Sequence, residues 1–198
     1  VFEPQPGDHG LHLSALLDSD SVAGAYDFTI EPGDMTVMHI RSVLFPRRPI
    51  STVGIAPLTS MYFFSPERRA GVDDFRDAVH DSDGLQIASG GGEWLWRPLV
   101  NPRGVFVTSF AMPALRGFGL MQRDRAFAHY QDLEARYERR PSAWVAPKGS
   151  WGPGRVELVQ IPSPDETNDN IVAYWVPDTP PAPNQPWNLE YSVLWQKD

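Results

Sequence analysis

Proline and glycine constrain this chain more than any other feature of its sequence. Its 198 residues include 20 prolines and 16 glycines, and this proline share is twice the usual value of about 5%. Proline breaks helix interiors and both residue types favour turns, so the chain is interrupted too often for long helices. Because 41% of the residues are hydrophobic, including seven Trp, ten Phe and six Tyr, a sizeable core is available. We therefore expect short strands joined by turns.

Alternation of apolar and polar residues places strands in both halves of the chain. Residues 26–30 alternate in the way that is typical of a half-buried strand, a second β-rich run follows at 35–45, and the strictest alternation lies at 189–195. The glycine cluster at 90–92 predicts a hairpin, since glycine readily adopts the positive φ angles of tight turns.

Residues 122–140 carry a helical pattern. Apolar and aromatic side chains are spaced there for one face of a helix, and glycine and proline are absent. We expect a short helical linker. It would separate the strands at 1–121 from a second, incomplete domain at 141–198 whose strands resemble half of a sandwich.

Composition excludes several classes of protein. Seventeen Lys and Arg against 25 Asp and Glu give a formal charge of −8, whereas proteins that bind polyanions carry an excess of basic residues. We therefore expect no nucleic acid partner. The chain has no cysteine, which excludes disulfides and thiolate zinc sites. Its apolar runs are shorter than the roughly 18 to 20 residues of a membrane span.

One cluster of reactive side chains lies at 80–83. His80, Asp81 and Asp83 place an imidazole and two carboxylates within four residues. In an extended segment Asp81 and Asp83 project to one face. Two like charges at such a short distance raise the pKa of one carboxyl, which then stays protonated and can donate a proton. The alternative is an Asp-rich turn, since the pattern Asp-x-Asp-Gly is common in turns.

Two tryptophans form a second candidate cluster. Trp94 and Trp96 are two residues apart, so in a strand they lie on the same face. Indole rings bind the C–H faces of sugars by apolar burial and electrostatic attraction. The alternative is a pair of core side chains.

Several short motifs carry a resemblance to a known family. They are LLDS at 16–19, GAY at 24–26, GIAPLTSM at 54–61, VHDSDGL at 79–85, GEWLWRPL at 92–99, RGFGL at 116–120, QRDR at 122–125 and the segment 165–177. In this order, over essentially the whole chain, they resemble the periplasmic glucan biosynthesis proteins of the G and D types. Several adjacent motifs are far more specific than any one alone.

The resemblance implies a mainly β fold in two parts. A large N-terminal β-sandwich of the kind found in sugar-active enzymes is joined by a short helical linker to an immunoglobulin-like β-sandwich. This chain would hold the C-terminal part of the first and the start of the second. It begins at Val1 with neither Met nor a basic, apolar signal segment, which fits a processed protein or a fragment.

The resemblance also implies an activity. Family members act in the periplasm on osmoregulated glucans with a β-1,2-linked glucose backbone, and some hydrolyse it as inverting endo-glucanases. The general acid in that pattern is the Asp after His, here Asp81. Some hydrolytic members carry Glu three residues earlier, where this chain has Ala78, and the general base is expected upstream of Val1. Since inverting hydrolysis needs two carboxylates about 6.5–9.5 Å apart, we expect these residues alone to be inactive.

The other expected roles combine the resemblance with the chemistry of the residues themselves. His80 and Asp83 would tune or position the acid, and no metal or organic cofactor is implied. The expected partners are the β-1,2-glucan and, for a member that binds glucan without cleaving it, the membrane glucan glucosyltransferase. A loop from a neighbouring subunit or domain edge would close over the site, which allows a homodimer. The predicted site also includes three aromatic residues that would bind the faces of sugar rings, namely Trp94, Trp96 and Tyr62. Arg97 would donate a hydrogen bond to a sugar hydroxyl.

Overall fold

The computed structural model describes residues 7, 9–69 and 71–197 of this chain. Regular structure within them is mostly β-strand, which confirms the expected mainly β fold. Helical structure in this part is limited to the helix α1 at Phe127–Tyr130 and to 3₁₀ turns at Pro66–Arg68 and Tyr137–Arg139. None of the described helices is long and apolar enough to span a membrane. The strands are β1 Leu11–Asp18, β2 Val22–Glu31, β3 Thr36–Pro46, β4 Ile55–Ser60, β5 Tyr62–Phe64, β6 Val79–His80, β7 Gly84–Ser89, β8 Trp94–Pro98, β9 Phe106–Met112, β10 Leu115–Met121, β11 Ser142–Pro147, β12 Gly154–Gln160, β13 Ile171–Pro177 and β14 Trp187–Gln196.

The described strands form two large antiparallel sheets and a small one. The eight-stranded sheet has the order β1-β2-β3-β14-β11-β10-β7-β8, the four-stranded sheet has the order β4-β13-β12-β9, and β5 pairs with β6. One apolar core joins the two large sheets. It includes Phe118 and Val145 from the first and Leu158 and Trp175 from the second, all fully buried. Burial of this apolar surface stabilises the two layers.

The strand pairing corrects the expected domain boundary. β10, which precedes residues 122–140, pairs with β11, which follows them, and β14 lies between β3 and β11. In the second large sheet β12 and β13 lie between β4 and β9. The described residues of 141–198 therefore complete the sheets formed by those of 1–121 and do not begin a separate sandwich. Alternation identifies a strand but does not specify its partner.

The hairpin predicted at the glycine cluster is confirmed. β7 and β8 pair antiparallel on either side of it, and Gly92 has a φ of 93°. Trp94 lies opposite Ala88 and Trp96 opposite Gln86. Directly opposite residues share a face of a sheet, so the two indoles project to the same side, as predicted.

The predicted helix at 122–140 is wrong for most of its length. α1 is followed by Gln131 in the left-handed conformation, with a φ of 49°, and the 3₁₀ turn is preceded by Arg136 with a φ of 50°. A left-handed residue ends a right-handed helix. Between them, Asp132 Oδ1 accepts hydrogen bonds from two backbone N–H groups that follow it, which competes with helical hydrogen bonding.

The apolar residues of this connection act as separate anchors. Tyr130 and Tyr137 are buried in a second apolar cluster with Phe64 and Val79, whereas Leu133 is 78% exposed. The two tyrosines enter the same cluster from different turns of the chain, and this accounts for a spacing that resembles one face of a helix.

The buried side chain of Gln122 holds this connection against the sheet. Its amide nitrogen lies 2.9 Å from the His80 carbonyl oxygen and 3.0 Å from both the Tyr130 hydroxyl and the Tyr137 carbonyl oxygen. Its amide oxygen accepts a hydrogen bond of 2.8 Å from His80 Nδ1. The Gln122 backbone N–H donates to the Ser142 hydroxyl at 3.0 Å. One residue thus joins β6, α1, the second 3₁₀ turn and β11.

Two glycines of β10 allow close contact with β11. A Cβ atom on Gly117 would lie 2.4 Å from Cζ2 of Trp144, and one on Gly119 would lie 2.4 Å from the Ala143 carbonyl oxygen. Such distances are too short for real contacts, so a side chain at either position forces the strands or the indole to move.

We predict that Gly119→Ala lowers the free energy of unfolding by about 1–3 kcal/mol, because the new methyl group overlaps backbone that cannot rotate away. Urea-induced unfolding measures this change. Gly104→Ala is the matched control, since a Cβ there meets open space. Equal effects of the two substitutions would contradict the packing argument.

We also predict that Gln122→Met, which keeps the length of the side chain, lowers the free energy of unfolding by about 3 kcal/mol. The change leaves the buried His80 ring and two carbonyl oxygens without their partner, and each such group costs about 1–3 kcal/mol. The comparison in urea is with Gln185→Met, at an exposed position. A loss no greater than that of the control would show that the network is not needed for stability.

Candidate functional site

The cluster predicted at 80–83 lies in the connection between β6 and β7. The backbone bends at Asp81 and again at Asp83, and both N–H groups are fixed, that of Asp81 to the Met61 carbonyl oxygen and that of Asp83 to the Met121 carbonyl oxygen, each at 2.8 Å. Because the segment is bent, the two carboxylates do not share a face. Asp81 lines one cleft and Asp83 lines another, which corrects the expectation that they project together.

The cleft next to Asp81, here called the Asp81 cleft, lies between the two large sheets and has a volume of about 580 Å³. Most of its lining is apolar, for example Ile40 and Leu58 from the two facing sheets. Asp81, Arg140 and Asp169 supply charged groups to the lining. The Asp81 side chain is 26% exposed, so the carboxyl is accessible from the cleft and largely shielded from water.

Burial raises the pKa of the Asp81 carboxyl above its ordinary value. Arg140 opposes this shift and lowers the pKa, while the negative charges of Asp169 and Glu166 raise it. Arg140 Nε lies 3.0 Å from Asp81 Oδ1 without hydrogen-bond alignment, and Oδ1 has no hydrogen-bond partner among the described residues. Arg140 and the acidic loop are therefore the charged groups that shift the pKa of Asp81, and the tuning or positioning expected of His80 and Asp83 stays a prediction.

His80 lies beneath the segment as a packed, neutral ring. It is 2% exposed, stacks on Tyr62 with 5.5 Å between ring centroids and meets Tyr130 edge-on at 5.4 Å. Burial lowers the pKa of His80, and its bond to the Gln122 amide oxygen assigns the proton to Nδ1, since that oxygen can only accept. Tyr62 is itself 2% exposed, and its hydroxyl donates to Ser65 Oγ. Tyr62 therefore belongs to the packed floor and is not an open platform.

Asp83 lines a second cleft, here called the Asp83 cleft, of about 390 Å³ between β8, the turn at Pro66–Arg68 and residues 123–129. Burial raises the pKa of Asp83, and the charge of Arg123 is the main effect that lowers it. Arg123 Nε lies 3.6 Å from Asp83 Oδ2, longer than a hydrogen bond. The Arg123 guanidinium carbon lies 3.7 Å from the centroid of the Trp96 ring, which is a close cation–π contact.

The predicted sugar-binding residues of β8 fall in different surroundings. Trp96 lines the Asp83 cleft. Trp94 is 60% exposed and its ring packs against Trp144 at 5.7 Å, outside both clefts described here. Arg97 projects from the opposite face of the strand, where its guanidinium lies 5.8 Å from the Phe106 ring. The structure therefore does not place Arg97 beside the indoles.

A largely buried ion cluster fixes the loops near the Asp81 cleft. Arg76 is 13% exposed and lies 2.8 Å from Asp74, 2.8 Å from Asp132 and 2.6 Å from Glu166. It joins the loop before β6, the connection after α1 and the acidic loop before β13. Because Glu166 raises the pKa of Asp81, this cluster also sets part of the charge around the candidate acid.

Two arginines that face the carboxylates were not among the residues predicted from the sequence. Arg123 and Arg140 lie near the two ends of the connection between β10 and β11, and they contact Asp83 and Asp81 respectively. The motif QRDR at 122–125 contains Arg123 and could have identified it. No sequence signal identifies Arg140, because its contact depends on the irregular path of the connection.

Comparison with known proteins agrees with the motifs. A family model described as "Periplasmic glucan biosynthesis protein, MdoG" matches residues 1–198. "Glucans biosynthesis protein G" of Ralstonia nicotianae is 60% identical over all of this chain and 39% of its own length. The proteins of that name from two strains of Pseudomonas putida are each 52% identical over the whole chain, which covers 35% and 34% of their lengths.

The chain therefore spans little more than a third of the length of these curated relatives. The match of the family model, in contrast, extends over every residue of the chain. The family and the periplasmic location expected from the sequence are thereby confirmed. The chain belongs to the MdoG family of periplasmic glucan biosynthesis proteins.

Proposed function

We propose that this chain is part of a protein that acts on the β-1,2-linked glucose backbone of periplasmic glucans, by inverting endo-hydrolysis with Asp81 as general acid. The observation that carries the proposal is the state of the Asp81 carboxyl, which lines a cleft, is partly buried and has a raised pKa. A carboxyl with a raised pKa keeps its proton closer to neutral pH, as a general acid must. The relatives' names, which specify glucan biosynthesis, support the substrate class.

The proposed step moves one proton and breaks one bond. Asp81 donates its proton to the glycosidic oxygen as the bond from that oxygen to the anomeric carbon breaks. A water activated by a second carboxylate attacks the anomeric carbon from the opposite face, and that carboxylate takes the water's proton. The resemblance assigns this base to no described residue, and the proposal assigns to them the acid and its surroundings.

Arg140 has a defined role in this proposal. Its guanidinium lies 3.0 Å from Asp81 and favours the charged carboxylate. It therefore keeps the pKa of the acid from rising further, and it stabilises the carboxylate formed once the proton has left.

The second candidate function is that of a glucan-binding protein that presents nascent glucan to the membrane glucosyltransferase without cleaving it. The same Arg140 contact favours it, because a cation beside Asp81 stabilises the unprotonated form, which cannot donate a proton. The two functions differ in one observable: the scaffold binds β-1,2-glucan and releases no sugar.

We predict that Asp81→Asn lowers release of reducing ends from linear β-1,2-glucan by about 10²–10⁴-fold with binding retained, since the amide has no acidic proton. The assay uses a chain of the relatives' full length that contains these residues. Asp73→Asn, in an exposed loop, is the control and keeps full activity. Activity that survives in Asp81→Asn removes this residue as the acid, and a wild-type protein that binds glucan but never cleaves it supports the scaffold.

We further predict that Arg140→Gln shifts the basic limb of the kcat/KM profile to higher pH. Arg140 lowers the pKa of Asp81, so its removal raises that pKa, and the acid stays protonated over a wider range. Arg139→Gln is the matched control, because Arg139 is 66% exposed and lies near Glu138 instead of Asp81. A basic limb that stays in place or moves to lower pH would contradict this role of Arg140.

A further inference from the structure

The Asp83 cleft takes no part in the mechanism proposed above, yet it has the features of a binding site. Its volume of about 390 Å³ lies within the roughly 300–1,000 Å³ of small-ligand sites. It is lined by side chains that the β5, β8 and β10 ends and the turn at Pro66–Arg68 bring together. The hydrogen-bonding and charged groups of this lining determine which ligand the cleft can bind.

Asp83 presents an unused hydrogen-bond acceptor. Its side chain is 18% exposed, and its buried Oδ1 has no hydrogen-bond partner among the residues that the structure describes. A largely buried carboxylate with too few hydrogen-bond donors is costly, and a ligand hydroxyl that donates to its exposed part would lower that cost.

Arg123 presents donors next to this acceptor. Its guanidinium is held over Trp96 at 3.7 Å and beside Asp83 at 3.6 Å, so its orientation is set before any ligand arrives. The side chain is nevertheless 63% exposed. A guanidinium has five N–H groups in a planar fork, and contact with one ring and one carboxylate leaves donors directed to solvent.

The remaining walls carry both signs of charge and ordered hydroxyls. Tyr62 donates to Ser65, and Ser65 donates to Glu67, at 2.9 Å each. Asp124 Oδ2 lies 2.7 Å from His129 Nδ1. A lining that mixes carboxylates, cations and hydroxyls at close range does not favour an anion or a cation. It fits a neutral ligand rich in hydroxyl groups, which both donates and accepts.

We propose that the Asp83 cleft is a second binding subsite for a glucosyl residue of the glucan, separate from the Asp81 cleft. Asp83 accepts a hydrogen bond from one sugar hydroxyl, Arg123 donates to the neighbouring hydroxyl oxygen, and Trp96 keeps the guanidinium in place. The identity of the sugar rests on the proposed function, whereas the pairing of a carboxylate with a guanidinium rests on the geometry of the cleft. A sugar ring carries adjacent hydroxyls, and each hydroxyl can both donate and accept a hydrogen bond.

The test measures binding of a β-1,2-linked glucose oligosaccharide by calorimetry, in a chain of the relatives' full length. All variants are made in the Asp81→Asn background so that the ligand is not consumed. We expect Arg123→Ala to raise Kd about tenfold or more, since a hydrogen bond from a charged donor is lost. Arg103→Ala, at an exposed position outside the cleft, leaves Kd unchanged. Circular dichroism confirms that each variant is folded.

The outcomes separate this proposal from the proposed function. A Kd in Arg123→Ala equal to that of the parent overturns the subsite and leaves the role of Asp81 untouched. If Trp94→Ala weakens binding and Arg123→Ala does not, the sugar binds at the open face of β8. That result also overturns the proposed subsite. A parent that binds no β-1,2-glucan overturns both proposals. If Asp81→Asn still cleaves the ligand, the acid is wrong, and a tenfold rise of KM in Arg123→Ala then supports the subsite.

Discussion

The buried amide of Gln122 is the contact on which the rest of the candidate site depends. Its oxygen accepts from the His80 ring, and its nitrogen lies within hydrogen-bond distance of the His80 and Tyr137 carbonyl oxygens. A buried amide that lost these partners would carry the full cost of its desolvation. These contacts therefore fix the position of the connection after β10 relative to the short strand β6. Because Asp81 directly follows His80, the same contact determines where the first carboxylate lies.

The connection at 122–140 supplies a partner to each reactive residue of the 80–83 cluster. These pairs are Gln122 with His80, Arg123 with Asp83 and Arg140 with Asp81. A stretch that the sequence predicts to link two domains is therefore part of the candidate site. Both arginines belong to one connection, so its path determines the charge around both carboxylates. This gives a physical reason for its irregular backbone, since a straight helix would present one face only.

Elements that are specified by local sequence could be predicted. The strands at 26–30, 35–45 and 189–195 were predictable because apolar and polar residues alternate within each one, and the hairpin was predictable from its glycines. Sheet order was not, because the pairing of β3 with β14 joins residues about 150 positions apart, and alternation is the same for any partner. The helix at 122–140 was predicted wrongly because apolar spacing does not reveal the left-handed backbone at Gln131 and Arg136. The same holds for the candidate site. The types of its reactive residues were evident from the sequence, whereas their separation into two clefts was not.

The bends at Asp81 and Asp83 change the electrostatics that an extended segment would produce. Carboxylates on one face would shift each other's pKa and titrate as a coupled pair. In the structure each pKa is raised first by its own burial and lowered first by its own arginine. Because the two carboxylates line different clefts, the immediate surroundings of each one differ. The proton donor proposed for one cleft and the hydroxyl acceptor proposed for the next therefore depend on different arginines, Arg140 and Arg123.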